Sequence, residues 1–138
     1  MKEKIITIEI PRGYAVRNLS EGKITLEYLY PRTFSECVEE LGLRPTEEPS
    51  AEGYVDSEAL ELLQLIVCRD AWLKQYNKWK PNWKNAKEAK YVINVERGVL
   101  ARSVKFIESC PMAFPTQEMR DSFLECFEYK LERCKELL

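Results

Sequence analysis

Histidine is absent from this chain of 138 residues. That removes the side chain titrating nearest neutral pH, the usual activator of serine or cysteine nucleophiles, and the commonest metal ligand. Glycine is scarce, at five residues, and none is arranged as a phosphate loop, a nucleophile elbow or a calcium-binding loop. The five cysteines, Cys37, Cys68, Cys110, Cys126 and Cys134, are odd in number and form no C-x-x-C pair. Neither a disulfide framework nor a zinc knuckle is therefore expected, and the thiols read as small buried hydrophobes. Carboxylates, lysine, tyrosine and a thiol are left as reactive groups. The expectation is a protein that is not an enzyme and holds no cofactor and no metal.

Long apolar runs are missing too. The longest, Leu62 to Val67, is interrupted by Gln64 and is far too short to cross a bilayer. Lys2, Glu3 and Lys4 precede an alternating pattern, not the apolar stretch of a signal peptide, so a cytoplasmic location is expected. Net charge is -2, from 21 basic and 23 acidic residues, which supplies no global field toward nucleic acid or membrane. What is present is a hydrophobic content of 45%, aromatics at 11%, and enough chain for one domain with a genuine core.

Local patterns predict α+β. Ile6, Ile8 and Ile10 alternate as in a half-buried strand, and Ile24, Leu26 and Tyr28 do the same. The two read as antiparallel partners joined by a loop through Asn18, Ser20 and Gly22. Thr33 and Glu36 form a capping-box pattern before the stripe Phe34, Cys37, Val38 and Leu41, and Gly42 is placed to end that short helix. Residues 44–55, with Pro45, Pro49, Ser50 and Gly53 among glutamates, read as an acidic mobile linker, leaving residues 1–43 as a semi-independent hairpin lobe.

Asp56 or Ser57 is placed to cap a helix running to about Lys78, apolar over so wide an arc that it reads as the central core helix. Pro81 is its expected stop. Tyr91, Ile93 and Val95 predict a third strand, Arg97-Gly98 a tight reversal, and Val99 to Val104 a fourth. Met112 to Phe114, between Pro111 and Pro115, fits at most a short edge strand. Thr116 caps a last helix carrying Met119, Phe123, Phe127 and Leu131 on one face. The expected fold is a small, mostly antiparallel sheet of about four to five strands packed against two long helices, 57–78 and 116–137, with one short helix. Residues 56–138 make its main unit.

The candidate surface is the lysine and aromatic stretch from Lys74 to Tyr91. Lys74, Lys78, Lys80, Lys84, Lys87 and Lys90 face the single acid Glu88, with Trp79 and Trp83 among them. Cations neutralise phosphates and indoles stack on bases, so Lys78, Trp79, Lys80, Trp83, Lys84 and Lys87 are the residues of a nucleic-acid or partner surface. The competing reading makes the tryptophans the pins of a packed corner around Pro81, with the lysines solvating it. Nine carboxylates between Glu36 and Glu61, opposed only by Arg44, read as solvated charge or as a partner for the lysine stretch, within one chain or between two.

Ile8-Glu9-Ile10-Pro11-Arg12-Gly13-Tyr14, Trp79-Lys80-Pro81-Asn82-Trp83, Lys90-Tyr91-Val92-Ile93 and Phe114 to Phe123 occur in this order along the chain. In that order they resemble a family of small proteins encoded by phages, prophages and mobile elements of Bacteroidetes. Members it resembles often carry acids where Asn82, Lys84 and Lys87 stand, so the positive stretch belongs to this chain and not to the family. The resemblance implies a mobile-element setting and carries over no activity or site residue. Together with the missing histidine, it sets the expectation of a non-enzymatic protein acting through protein contacts, with a homodimer as one form. A nucleic-acid-binding accessory role is the alternative.

Overall fold

Two-residue turns with positive φ at both positions close two hairpins in this chain, one near its start and one in its interior. In the computed structural model, which describes residues 3–43 and 57–138, Glu21 and Gly22 (φ 52° and 72°) join β1 (Tyr14–Ser20) to β2 (Lys23–Tyr28). Arg97 and Gly98 (φ 54° and 78°) join β3 (Lys90–Glu96) to β4 (Val99–Lys105). Such pairs match the twist of antiparallel strands and close hairpins locally. By its contacts the chain divides into two units, Met1–Tyr30 and Pro31–Leu138.

The first unit corrects the expectation for the N-terminus. Ile6–Ile10 is not a strand; the partner of Ile24–Tyr28 is Tyr14–Ser20, the segment read as a loop. Glu21-Gly22 decides this, because it sets Ser20 opposite Lys23 and zips the neighbouring residues, whereas pairing Ile6–Ile10 needs a longer closure. A register shift between Val16 and Asn18 marks a bulge. Tyr14 and Tyr28 close the far end with ring centroids 4.8 Å apart. No described residue of this unit is buried.

The second unit holds the core. α1 (Phe34–Glu40) is capped by Thr33 as its sequence predicts, Thr33 Oγ1 accepting from the Glu36 N–H at 3.1 Å. The return bond differs from a capping box: Glu36 Oε2 accepts from the Arg32 N–H at 2.8 Å, one residue before the cap. It ends at Gly42, φ 69°, with the Leu43 N–H on the Val38 carbonyl. α2 (Ser57–Lys74) and α3 (Gln117–Arg133) are 18 and 17 residues long. Thr116 caps α3 by accepting from the Met119 N–H at 3.2 Å. The proposed linker and the candidate cap Asp56 lie outside the described residues.

The fold is α+β, but the five strands among the described residues divide between two sheets, β1-β2 and β4-β3-β5, where the sequence predicts one. β5 (Ala113–Phe114) pairs with β3 at an edge, Tyr91 facing Phe114. The central position belongs to α3 and not to α2. α3 packs on β3, β4 and β5 and also on α2, while α2 packs on α1 and α3. The wide apolar arc of α2 misled because Leu63 is exposed and Leu60, Leu62, Ile66 and Val67 are only half-buried.

Trp72 from α2, Phe114 from β5, and Phe123 and Phe127 from α3 form one aromatic cluster, with centroid distances from 4.6 to 5.8 Å. Such pairs add to the large apolar area each ring removes from water. The Trp72 indole N–H donates to the Pro31 carbonyl at 2.8 Å, which ties the start of the unit to α2. Glu61 of α2 pairs with Lys130 and Arg133 of α3 at 3.1 and 3.2 Å. Buried Arg120 donates to Asp121 at 2.9 Å and to the Ser103 carbonyl at 3.1 Å, and its guanidinium lies over the Tyr91 ring. The Lys90-Tyr91 and Arg120-Asp121 motifs are thus the joint between sheet and α3. All five cysteines are free. Among the described residues no helix is long and apolar enough to cross a membrane.

Candidate functional site

The lysine and tryptophan stretch is built by a helix that stops early. α2 ends at Lys74, before the expected Lys78, because Asn77 and Lys78 both turn left-handed at φ 53°. The Lys78 N–H then reaches back to the Leu73 carbonyl at 3.0 Å, the long bond of a helix-terminating motif. Asparagine tolerates this backbone; lysine there costs on the order of 1 kcal/mol. The helix is therefore already closed when the chain reaches Pro81.

Beyond Pro81 the corner is held by side chains bonding to backbone. Asn82 Oδ1 accepts from the Lys84 N–H at 3.1 Å and Asn85 Oδ1 from the Lys87 N–H at 3.0 Å, two turns of the kind asparagine favours. Glu88 Oε1 accepts from the Asn82 N–H at 3.0 Å. Lys90, read from the sequence as one of the six cations of the stretch, is not on the surface. Its side chain is 0% exposed, its ammonium donates to the Asn85 and Phe106 carbonyls, lies 3.7 Å from Glu88, and sits 5.4 Å from the centre of the Trp83 ring. A buried ammonium persists only with such compensation. It backs one of the two indoles.

The indoles are half-buried, neither packed away nor standing free in water. Both line a cavity of about 620 Å³ in the second unit. Of the six predicted surface residues, Lys78, Trp79, Lys80 and Trp83 line it, and Lys84 and Lys87 do not. Lys74 and Pro81, part of the predicted stretch, also line it. The sequence reading missed the rest of the lining, which comes from Leu41 after α1, from Arg69, Asp70 and Leu73 on the last turns of α2, and from Cys110 and Ala113 near β5. A helical reading of α2 places Arg69, Leu73 and Lys74 on one face by their spacing, but nothing local shows which loop they meet.

Four cations line the cavity against one carboxylate, yet two are engaged. Arg69 pairs with Asp70 at 3.0 Å and donates to the Pro111 carbonyl, and Lys74 donates to the Glu40 carbonyl at 2.7 Å. Lys78 and Lys80 are exposed and make no ion pair among the described residues. Cys110 is the nucleophile type in the lining. Burial raises its pKa above the usual thiol value, outweighing the opposing pull of Lys105, and it donates to the Glu108 carbonyl at 3.5 Å. It stays a thiol at neutral pH. No group of three metal-ligating side chains occurs among the described residues.

The cavity is of the size that takes a small ligand or an anchoring side chain. Its lining joins buried Leu73 and Ala113 and two half-buried indoles, taken as its floor, to the exposed lysines Lys78 and Lys80, taken as its rim. Searches of family models, curated proteins and solved structures found no match to this chain.

Proposed function

We propose that this is a cytoplasmic, non-enzymatic protein of a phage or mobile element that works through protein contacts. The observation that carries this is the first unit: none of its described residues is buried, and nine large apolar side chains, Ile5 at 88% and Ile6 at 72% the most open, face solvent. Soluble chains rarely leave so much apolar surface in one place without a partner, and a two-stranded hairpin alone is marginal in water. Self-association is the form tested first. The full chain should show a solution mass near twice 16.2 kDa, and the Ile6→Lys/Ile8→Lys variant should return to the single mass. A single mass for both across accessible concentrations would remove the homodimer.

One further reading has its own support. Trp79, Trp83, Lys78 and Lys80 share one cavity, a mixture that stacks bases and neutralises phosphates in single-strand binders. A low-salt shift of labelled single-stranded DNA, lost in a folded Trp83→Ala variant, would favour it; no shift at low salt would eliminate it.

A further inference from the structure

We infer that the cavity between the end of α2 and the Trp79–Trp83 corner is a docking pocket for an acidic peptide segment that carries one apolar anchor. The inference rests on the protein-contact reading and names the partner's chemistry at this site. Three features of the lining carry it.

The floor comes first. Leu41, Leu73, Pro81 and Ala113 join the two indoles, so most of the surface offered is aliphatic or aromatic. A leucine or aromatic side chain gains from leaving water for such a floor, and half-buried indoles are the usual anchors of protein interfaces. The rim comes second. With Arg69 and Lys74 engaged inside the chain, Lys78 and Lys80 are the cations left for a visitor. Lys78 is fixed to the rim by the left-handed turn at the end of α2, so its backbone is positioned before anything binds. Two ammonium groups beside an apolar floor complement one or two carboxylates flanking an apolar side chain.

The third feature separates peptide from nucleic acid. A single strand needs a cationic track past successive phosphates. The track stops here: Lys84 and Lys87 lie outside the cavity, Lys90 is buried, and Asp70, with its side chain 51% exposed, stands in the wall. A polyanion threaded through would meet that carboxylate. A short peptide seated by its anchor would not need to.

The test uses the full chain and fluorescein-labelled peptides blocked at both ends, read by anisotropy. One has a leucine flanked on each side by glutamates, one replaces that leucine with glycine, one replaces the glutamates with lysines, and labelled oligothymidine is the fourth probe. The glutamate–leucine peptide should bind. Affinity should fall several-fold as salt rises from about 50 to about 300 mM, and at least about tenfold in Lys78→Glu/Lys80→Glu, where charge complementarity is reversed. That variant removes no side-chain hydrogen bond among the described residues, and an unchanged unfolding midpoint separates lost binding from lost structure. Trp79→Ala, a second variant, should weaken the peptide without abolishing its salt dependence. Equal binding of the glycine or lysine peptides, or none by any peptide, overturns the inference. Tighter capture of oligothymidine than of the acidic peptide overturns it in favour of the nucleic-acid reading. The solution mass of the wild-type chain is measured alongside. A double mass with no peptide binding sinks this pocket and leaves the protein-contact reading standing; a single mass with no peptide binding sinks both.

Discussion

β1-β2 and β3-β4 are two hairpins closed by the same device, a residue and a glycine both at positive φ, and their fates are opposite. The Arg97-Gly98 hairpin lies against α3 and buries Val92 and Ile93 completely. The Glu21-Gly22 hairpin buries nothing among its described residues, and Val16, Leu19 and Ile24 stay exposed. Turn chemistry sets register in both, with Glu96 facing Val99 and Ser20 facing Lys23. It does not supply stability. That comes from a covering layer: α3 lies on the second hairpin, while no described residue of the first is buried.

The difference is sharpest at the side chains. Phe123→Ala in the aromatic cluster should cost about 3–5 kcal/mol of stability, while Leu19→Ala, 70% exposed on β1, should stay within about 0.5 kcal/mol. Urea unfolding followed by far-ultraviolet circular dichroism reads both. A Leu19 cost of several kcal/mol would break the comparison, because the first hairpin would then have a core after all.

A pH series separates the units next. All five cysteines lie beyond Tyr30. Burial pushes Cys126 and Cys134 up to about 11 from the ordinary 9.0. Above pH 9.0 the unfolded chain therefore releases protons that the folded unit retains, and the balance moves toward unfolding until the folded thiols also ionise. The unfolding midpoint of the second unit should hold steady through neutral pH and fall as pH climbs from 9.0 toward about 11. The Cys126→Ala/Cys134→Ala variant should lessen that fall, with Cys37 and Cys110, also raised, left to contribute the remainder; an unaltered profile would rule Cys126 and Cys134 out as its cause.

The turns themselves give the smallest effect. A Cβ at Gly22 or Gly98 meets nothing within 4 Å, so alanine at either costs only its backbone preference, about 1 kcal/mol. For Gly98→Ala that cost should appear in global unfolding. For Gly22→Ala it should appear only as faster amide exchange in β1 and β2, and a global loss from it would show the two units melting together.

What could be read ahead follows from range. Thr33, Gly42, Thr116 and Arg97-Gly98 act within a few residues, and each does in space what its spacing predicts; Glu36 bonds Arg32 in place of its cap residue. The N-terminal strand was misplaced because Ile6, Ile8 and Ile10 alternate more cleanly than Tyr14 to Ser20, where Arg17 and Asn18 fall at the bulge. Alternation reports a face, and a turn decides which segment is paired. Asn77-Lys78 carries no local signal as a helix stop beside Pro81, whose ring excludes the helix on its own. Lys90 was counted as surface because lysine nearly always is, and its partners arrive from Phe106 and Trp83 as well as from its own loop. Four of six candidate surface residues do meet in one cavity. The wall facing them comes from helix and loop segments brought together by tertiary packing, which no local pattern encodes.

The three tryptophans, at positions 72, 79 and 83, all fall in the larger unit. Indole emission is therefore blind to the N-terminal hairpin, and a single smooth fluorescence melt would be the signature of half the question. Tyr14, Tyr28 and Tyr30 precede Pro31 while Tyr54, Tyr76, Tyr91 and Tyr129 follow it, so a heating curve at tyrosine wavelengths mixes both units, and only a step in it that the tryptophan curve lacks would belong to the hairpin.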